Sequence, residues 1–357
     1  MQPVHRILIA PTVALILSAG AEPTSYQLAW SPAEGDQFER RLELELEVEF
    51  RSGGFEVAGQ SMPLEEVYNK FDPQDGERSL DVEATAIDTV RSVELGQLMS
   101  LERQYAEVLV DGRRDDDGPA LARFNWDRRR ARFQTEVIDD GLDPEEAKAA
   151  ARVLREDLDC RWLLPKGEVR NASTWKRDLS PQQALELVGI PGMDITELFR
   201  IGMEDDRPVD PELLRAFEPV LADLGRERHA GNVVAELAGT RVFDGQTIVQ
   251  VDLTIEVELH LDLTDLMQTA FDLEARIRAD HLVPEHLRAL VIISGEGEGR
   301  FEWNVTAGRL HSLESSVDYV FEINGNFDAP VDGKSMPFSG WGSWGGELTS
   351  ARTVTKK

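Results

Sequence analysis

The stretch Phe38-Glu39-Arg40-Arg41-Leu42-Glu43-Leu44-Glu45-Leu46-Glu47-Val48-Glu49-Phe50 decides the fold class. Successive side chains of a strand point to opposite faces. A period of two therefore places Leu42, Leu44, Leu46, Val48 and Phe50 on one face and Glu43, Glu45, Glu47 and Glu49 on the other. Ser52-Gly53-Gly54 then reads as a hairpin turn into Phe55-Glu56-Val57. A second alternating run carries Val249, Val251, Leu253, Ile255, Val257, Leu259, Leu261 and Leu263 against Asp252, Glu256, Glu258, His260 and Asp262. At about 3.3 Å per residue this run reaches roughly 50 Å, a length that belongs to strongly curved sheets or barrels.

A third run, Gly295 to Val305, sets Gly295, Gly297 and Gly299 on the same side as Phe301, Trp303 and Val305. Glycines inside a strand mark a bend or a close approach by another group. Leu313, Val317, Tyr319, Phe321 and Ile323 continue the alternation until Asn324-Gly325 ends it. Phe271, Leu273, Ala275 and Ile277 favour one more strand, although 263–279 also fits a helix. In the tail, Gly340-Trp341-Gly342-Ser343-Trp344 either stacks on a sugar or hydrophobic partner or, as the expected reading, forms a terminal strand closing a core.

Helix signals are confined to the middle. Asp143-Pro144-Glu145-Glu146 opens a helix running to about Leu158, Ser180-Pro181 opens one that Gly189 closes, and Asp210-Pro211 opens a third. The third has an apolar stripe of Leu213, Leu214, Phe217, Val220, Leu221 and Leu224 and ends at Gly225. The strand-rich regions on either side look related. Arg123-Phe124-Asn125-Trp126 is followed nine residues after its arginine by Arg132-Phe133, and Arg300-Phe301-Glu302-Trp303 at the same spacing by Arg309-Leu310. Glu34-Gly35-Asp36-Gln37 is loosely echoed by Phe243-Asp244-Gly245-Gln246. The expected architecture is mainly β with a few helices (α+β). Two curved antiparallel sheets or half-barrels, a diverged duplication, flank a central helical block. The halves are 22–140 and 231–357, and the helical segment is 141–230.

Residues 1–21 read as a signal peptide, with basic His5 and Arg6, an apolar run from Ile7 to Leu17, and small residues before Ala21. The run is too short for a transmembrane anchor, and the expected location is periplasmic or extracellular. The chain carries 67 acidic against 38 basic residues, a formal net charge of −29, spread along its length. That field disfavours nucleic acid and anionic membrane surfaces as partners. The single cysteine, Cys160, permits no intramolecular disulfide and reads as a buried thiol.

Chemistry-bearing motifs are few. His281 and His286 lie one residue too far apart for an inverted zinc-protease pattern, and Pro284 interrupts the helix such a site needs. Asp115-Asp116-Asp117-Gly118 and Asp72-Pro73-Gln74-Asp75-Gly76-Glu77 are oxygen-rich turns without EF-hand spacing. No phosphate loop, nucleophile elbow or dinucleotide fingerprint is present, so neither a metal nor a cofactor is expected and the protein reads as non-catalytic.

The long alternating strands, the segment from Leu164-Pro165-Lys166-Gly167-Glu168-Val169 to Trp175, and the strand Gly297 to Trp303 followed by Gly308-Arg309-Leu310 resemble large families of exported bacterial β-rich proteins. In shape the chain is similar to the periplasmic lipoprotein carriers, whose unclosed barrels shelter acyl chains beneath helices. That likeness is one of shape and carries no binding residue across. A curved sheet whose apolar face is covered by the central helices is expected to enclose a pocket for a hydrophobic or lipid-like ligand, with Leu253, Ile255, Val257, Phe301, Trp303, Phe124 and Trp126 as its lining. The alternative is a structural or protein-interaction module of the cell envelope with a fully packed core.

Overall fold

A computed structural model of the protein describes residues 25–62, 77–114, 121–138, 154–188, 230–277, 284–331 and 334–357, with Ala147 and Ala151 between them. Its strands are β1 (Gln37–Val57), β2 (Gln60–Met62), β3 (Glu77–Glu94), β4 (Gln97–Val110), β5 (Arg113–Arg114), β6 (Leu121–Asp127), β7 (Arg132–Val137), β8 (Thr174–Asp178), β9 (Gly231–Phe243), β10 (Gln246–Asp262), β11 (Glu285–Asn304), β12 (Arg309–Val331) and β13 (Lys334–Lys356). The helices are α1 (Pro181–Val188) and α2 (Thr264–Ile277). All the strands belong to one antiparallel sheet in the order β7-β6-β4-β3-β1-β13-β12-β11-β10-β9-β8, with β2 on β1 and β5 on β4. It is unclosed, with β7 and β8 as its ends.

The expected two sheets are thus one. β1 and β13 pair from Phe38–Lys356 to Val57–Phe338, which joins the N-terminal and C-terminal strands into a continuous surface. Neither half contains an edge pairing that could keep it separate, because the strand that opens the first half is the partner of the strand that closes the second. The central helical block is not seen as such. α1 is present, opened by a reciprocal cap in which the Gln183 N–H donates to Ser180 Oγ and the Ser180 N–H to Gln183 Oε1. Residues from Leu154 to Cys160 are non-helical, so the first expected helix ends before Leu158. The expected helix at 210–224, the signal peptide at 1–21, the acidic turn at 115–118 and His281 lie outside the described residues.

Other expectations shift for local reasons. Ser52-Gly53-Gly54 is not a turn: β1 runs through it with a bulge between Phe50 and Ser52, and the chain reverses at Ala58-Gly59. Trp341 lies across Gly54, where a Cβ would sit 2.6 Å from its Nε1. Asn324-Gly325 does not end β12, which stays paired to Val331. Residues 264–277 are helical rather than a strand. The Asp262 carboxylate accepts from the Thr264 N–H and opens the helix, and Leu263, Leu266, Met267, Ala270 and Phe271 follow its period.

Cross-strand partners share a face, so the register assigns the two faces of the sheet. The inner face carries Val251, Leu253, Ile255 and Val257 of β10 opposite Phe301, Gly299, Gly297 and Gly295 of β11. Those glycines let the neighbouring strand press close: a Cβ on Gly297 would lie 2.2 Å from the Ser316 carbonyl oxygen. On β13, a Cβ on Gly346 would lie 1.8 Å from the Glu47 carbonyl oxygen, and the Tyr319 hydroxyl spans this strand to donate to the same oxygen at 2.7 Å. The small inner residues and the bulges in β1, β3, β9 and β11 curl the sheet. One apolar cluster consequently unites Phe124 of β6, near one end of the strand order, with Val233 of β9 near the other. The outer face is acidic, and Glu256, Glu296, Asp318 and Glu347 stand directly opposite one another across four adjacent strands.

Two predictions follow from this geometry. Gly346→Ala should destabilise by about 3 kcal/mol or more through overpacking, whereas Gly325→Ala, whose Cβ would meet nothing closer than 3.6 Å, should change stability by less than about 1 kcal/mol; denaturant midpoints read both. Asp318→Asn should raise the melting temperature at low salt, and added sodium chloride should erase the gain by screening the carboxylate row.

Candidate functional site

The inner face divides into two zones along the strands. At the end where β1 begins, its rows are sealed. Phe38, Leu101, Phe124, Val249, Val251, Phe301 and Trp303 are all buried in one cluster with Leu154, Leu163, Leu179 and Leu187 of the segment from Leu154 to Val188. The chain from Tyr26 to Ser31 crosses the mouth at this end. It is tied by backbone hydrogen bonds between Tyr26 and Val169 and from the Ser31 N–H to the Gly308 carbonyl.

Charge holds this plug in place. Arg103 donates to both oxygens of Asp88, from Nε at 2.6 Å and from its terminal nitrogen at 3.0 Å, and Arg40 Nε donates to Asp88 Oδ2 at 2.6 Å. Arg40 also pairs with Asp159, whose other oxygen accepts from Trp30 Nε1 at 2.9 Å. Arg103 reaches on to the backbone oxygens of Arg155 and Glu156, and Arg352 donates to the Cys160 sulfur at 3.0 Å. A chain of alternating charge therefore runs from β4 through β3 and β1 into the plug. Burial pushes the Asp88 carboxyl up, but the guanidinium groups of Arg103 and Arg40 outweigh it and hold the group below the usual aspartate range.

Beyond the plug the inner face stays apolar; it is half-buried or exposed at Phe50, Trp344, Phe321, Ile323 and Ile293 and buried at Leu259, Leu261 and Val291. Cross-strand partners Phe50, Trp344, Phe321, Ile293 and Leu259 make one row, and Ile323, Val291 and Leu261 continue the next. Phe50 is 38% exposed, against 1% for Phe301 at the sealed end. Rings run across the strands in two ladders. Phe50 meets Trp344 at 5.5 Å between centroids and Trp344 meets Phe321 at 5.7 Å. Phe55, Phe338 and Phe327 follow at 5.9 and 5.0 Å, and Phe271 of α2 lies 5.9 Å from Phe327. Trp344 lies over Gly342, where a Cβ would be 2.4 Å from its ring, and Phe55 over Gly340 at 3.2 Å. Glycines at those positions let the rings lie along the sheet instead of standing off it. The result is a low aromatic floor.

A second opening is a cleft of about 430 Å³ at the sealed end, between the β3–β4 and β6–β7 hairpins, lined by Trp30, Leu98, Trp126, Phe133, Glu156 and Arg161. Trp126 and Phe133 meet edge to face at 5.1 Å, and the Arg161 guanidinium stands 4.4 Å over the Trp30 ring.

Of the residues expected to line a cavity, Leu253, Ile255, Val257, Phe301, Trp303 and Phe124 are buried in the packed cluster, and Trp126 lines the rim cleft. They do not come together around one space. The aromatic floor comes from Phe50, Phe321, Phe327, Phe338 and Trp344; the alternation in sequence places Phe50 and Phe321 on strands and the tail reading places Trp344 on one, while Phe327 lies past the Asn324-Gly325 stop expected there and Phe338 carried no sequence signal. What the sequence lacked was the register that sets them side by side. Among the described residues no cluster of histidine, cysteine and carboxylate side chains suits a metal ion. No helix among them is long and apolar enough to cross a membrane. The chain matches no protein-family model and no curated protein.

Replacing Asp88 by Asn should cost about 3–5 kcal/mol, because it leaves Arg103 and Arg40 buried with an uncompensated charge. The pH dependence has a definite sign. A carboxyl held low in the folded state adds stability above its unfolded pKa near about 4, and that share is lost as the pH falls through the lower folded value. Denaturation midpoints of the wild-type chain should fall over this acid range, and those of Asp88→Asn should fall less steeply.

Proposed function

We propose that the protein is a non-catalytic, exported binder of a hydrophobic, lipid-like molecule, held against the inner face of its open sheet beyond the plugged end. The observation that carries this reading is the continuation of one apolar face past its sealed zone into a half-buried aromatic floor built over glycines. A face meant only as core would be filled by interlocking side chains, as it is around Phe301 and Trp303. A floor of flat rings flanked by aliphatic rows presents broad apolar area and little polar specificity, which fits an acyl chain or similar body.

Two diverged copies of one unit account for the shape in this reading. The meander β3–β4–β6–β7 has its counterpart in β9–β10–β11–β12. Both begin with a two-residue turn of positive φ, Leu95-Gly96 and Asp244-Gly245, each followed by a glutamine. Phe124 and Phe301 then occupy equivalent buried inner positions. The better partner of Phe243-Asp244-Gly245-Gln246 is therefore Glu94-Leu95-Gly96-Gln97, and not Glu34-Gly35-Asp36-Gln37.

One observation favours the second reading, a structural or interaction module of the cell envelope. Six of the seven side chains expected to line a cavity are packed core. Titration of the delipidated full chain with a fluorescent long-chain fatty-acid analogue separates the two. Saturable uptake is expected, weakened roughly tenfold or more by Phe321→Ala or Trp344→Ala, since each removes about 1.5–3 kcal/mol of apolar contact. Absence of uptake, together with a bare mass for protein isolated from its own host, would establish the packed module instead.

A further inference from the structure

The hairpin tips at the plugged end have a composition that the rest of the surface lacks. Four tight reversals of the sheet share one backbone, with positive φ at both central residues: Leu95-Gly96 and Asp244-Gly245 at the plugged end, and Ala58-Gly59 and Asp111-Gly112 at the other. The first position of such a turn favours Asn, Asp or Gly, because a left-handed conformation is costly for a branched apolar residue. Leu95 holds it at φ 50 and is fully exposed, at 108%. Neither folding nor packing is served by a leucine there, and a strained, solvated apolar tip points to contact with something else.

Its neighbours are basic. From Leu121 to Val137, in a chain of net charge −29, five arginines face two carboxylates. The β6–β7 tip carries Arg128, Arg129, Arg130 and Arg132, all exposed. Arg128 pairs with Glu94 beside Leu95, and Arg130 with Asp127; the Arg129 backbone N–H donates to Asp127, while the guanidinium groups of Arg129 and Arg132 form no ion pair among the described residues. Trp126 and Phe133 sit directly behind them, half-buried in the rim cleft. The antiparallel register brings the β9–β10 tip to the same end, and there Val242 and Phe243 are 76% and 53% exposed.

We propose that this rim docks on an anionic lipid surface. Leu95 and Phe243 enter the interface, Arg129 and Arg132 meet the headgroups, and Trp126 lies near headgroup depth. The apolar residues stand on separate tips and form no contiguous patch, which suits insertion into a fluid interface better than a fixed protein pocket. The acidic outer face of the strands is repelled by the same surface, so only the rim can approach it. The docking is independent of what the inner face holds.

The test is co-sedimentation of the full chain with vesicles of phosphatidylcholine containing phosphatidylglycerol, against pure phosphatidylcholine. Binding to the anionic vesicles alone, falling with added salt, is expected. Arg129→Ala with Arg132→Ala should lower partitioning about 25-fold, at roughly fivefold per basic residue. Leu95→Asn keeps the turn, since asparagine suits its conformation, and should lower binding several-fold without lowering the melting temperature. Equal partitioning to both vesicles, no partitioning, or variants that bind as the wild type would overturn the proposal. In those cases the rim would be a face for a protein partner.

Discussion

The pairing of the first long strand with the last is the constraint on which the structure depends. β1 and β13 are in register over most of their length, and every other strand reaches the sheet through one of them. Without this ladder, two meanders of five or six strands would each expose a long unpaired edge, which aggregates or recruits another chain. With it, the edges move outward to the short strands β7 and β8. The pairing tolerates a bulge after Phe50 and demands glycine at Gly346, where no side chain fits between β13 and the Glu47 carbonyl.

A single curled sheet raises a second requirement, because its inner face at one end must be filled from elsewhere in the chain. The segment from Leu154 to Val188 does this, and polar groups as well as apolar ones secure it. Asp88 between Arg103 and Arg40, and Asp159 between Arg40 and Trp30, replace hydration with paired charge. Such an arrangement adds little net stability over apolar packing, yet it is specific. A plug placed one residue out of register would strand a buried charge, at a cost of several kcal/mol. The aromatic floor beyond the plug has no comparable polar anchors, and its apolar surface is consistent with a proposed occupant of loose chemical identity.

Much of the candidate site was present in the sequence as pattern without place. The alternation around Phe321 and Ile323 fixed which residues share a face, and Trp344 was visible as an unusual residue among glycines. Their neighbourhood was not visible, because it depends on which of several equally apolar strands lie side by side. The same indeterminacy sent the expected cavity to Phe301 and Trp303, whose pattern is identical to that of the half-buried rows but whose position lies under the plug. Arg40 shares the parity of Phe38 and Leu42 and so falls on the apolar face, but nothing in the sequence names its partners. Asp88, Arg103 and Asp159 look in sequence like the other charged residues of an acidic protein, and only the tertiary structure brings them together beside Arg40.

The sequence by itself determined the class of the protein. The period of two in Phe38–Phe50, Val249–Leu263 and Gly295–Val305 makes long strands with one apolar and one acidic face, because successive strand residues alternate sides whatever their neighbours. It also determined the cap that opens α1 and the inner placement of the β11 glycines. Tertiary structure alone decided that the halves form one sheet and that the turn expected at Ser52-Gly53-Gly54 is a bulge. It also decided which stretch of the apolar face is sealed. Each of these depends on a partner distant in the chain, β13 for β1 and Trp341 for Gly54, and a local pattern carries no information about which distant segment arrives.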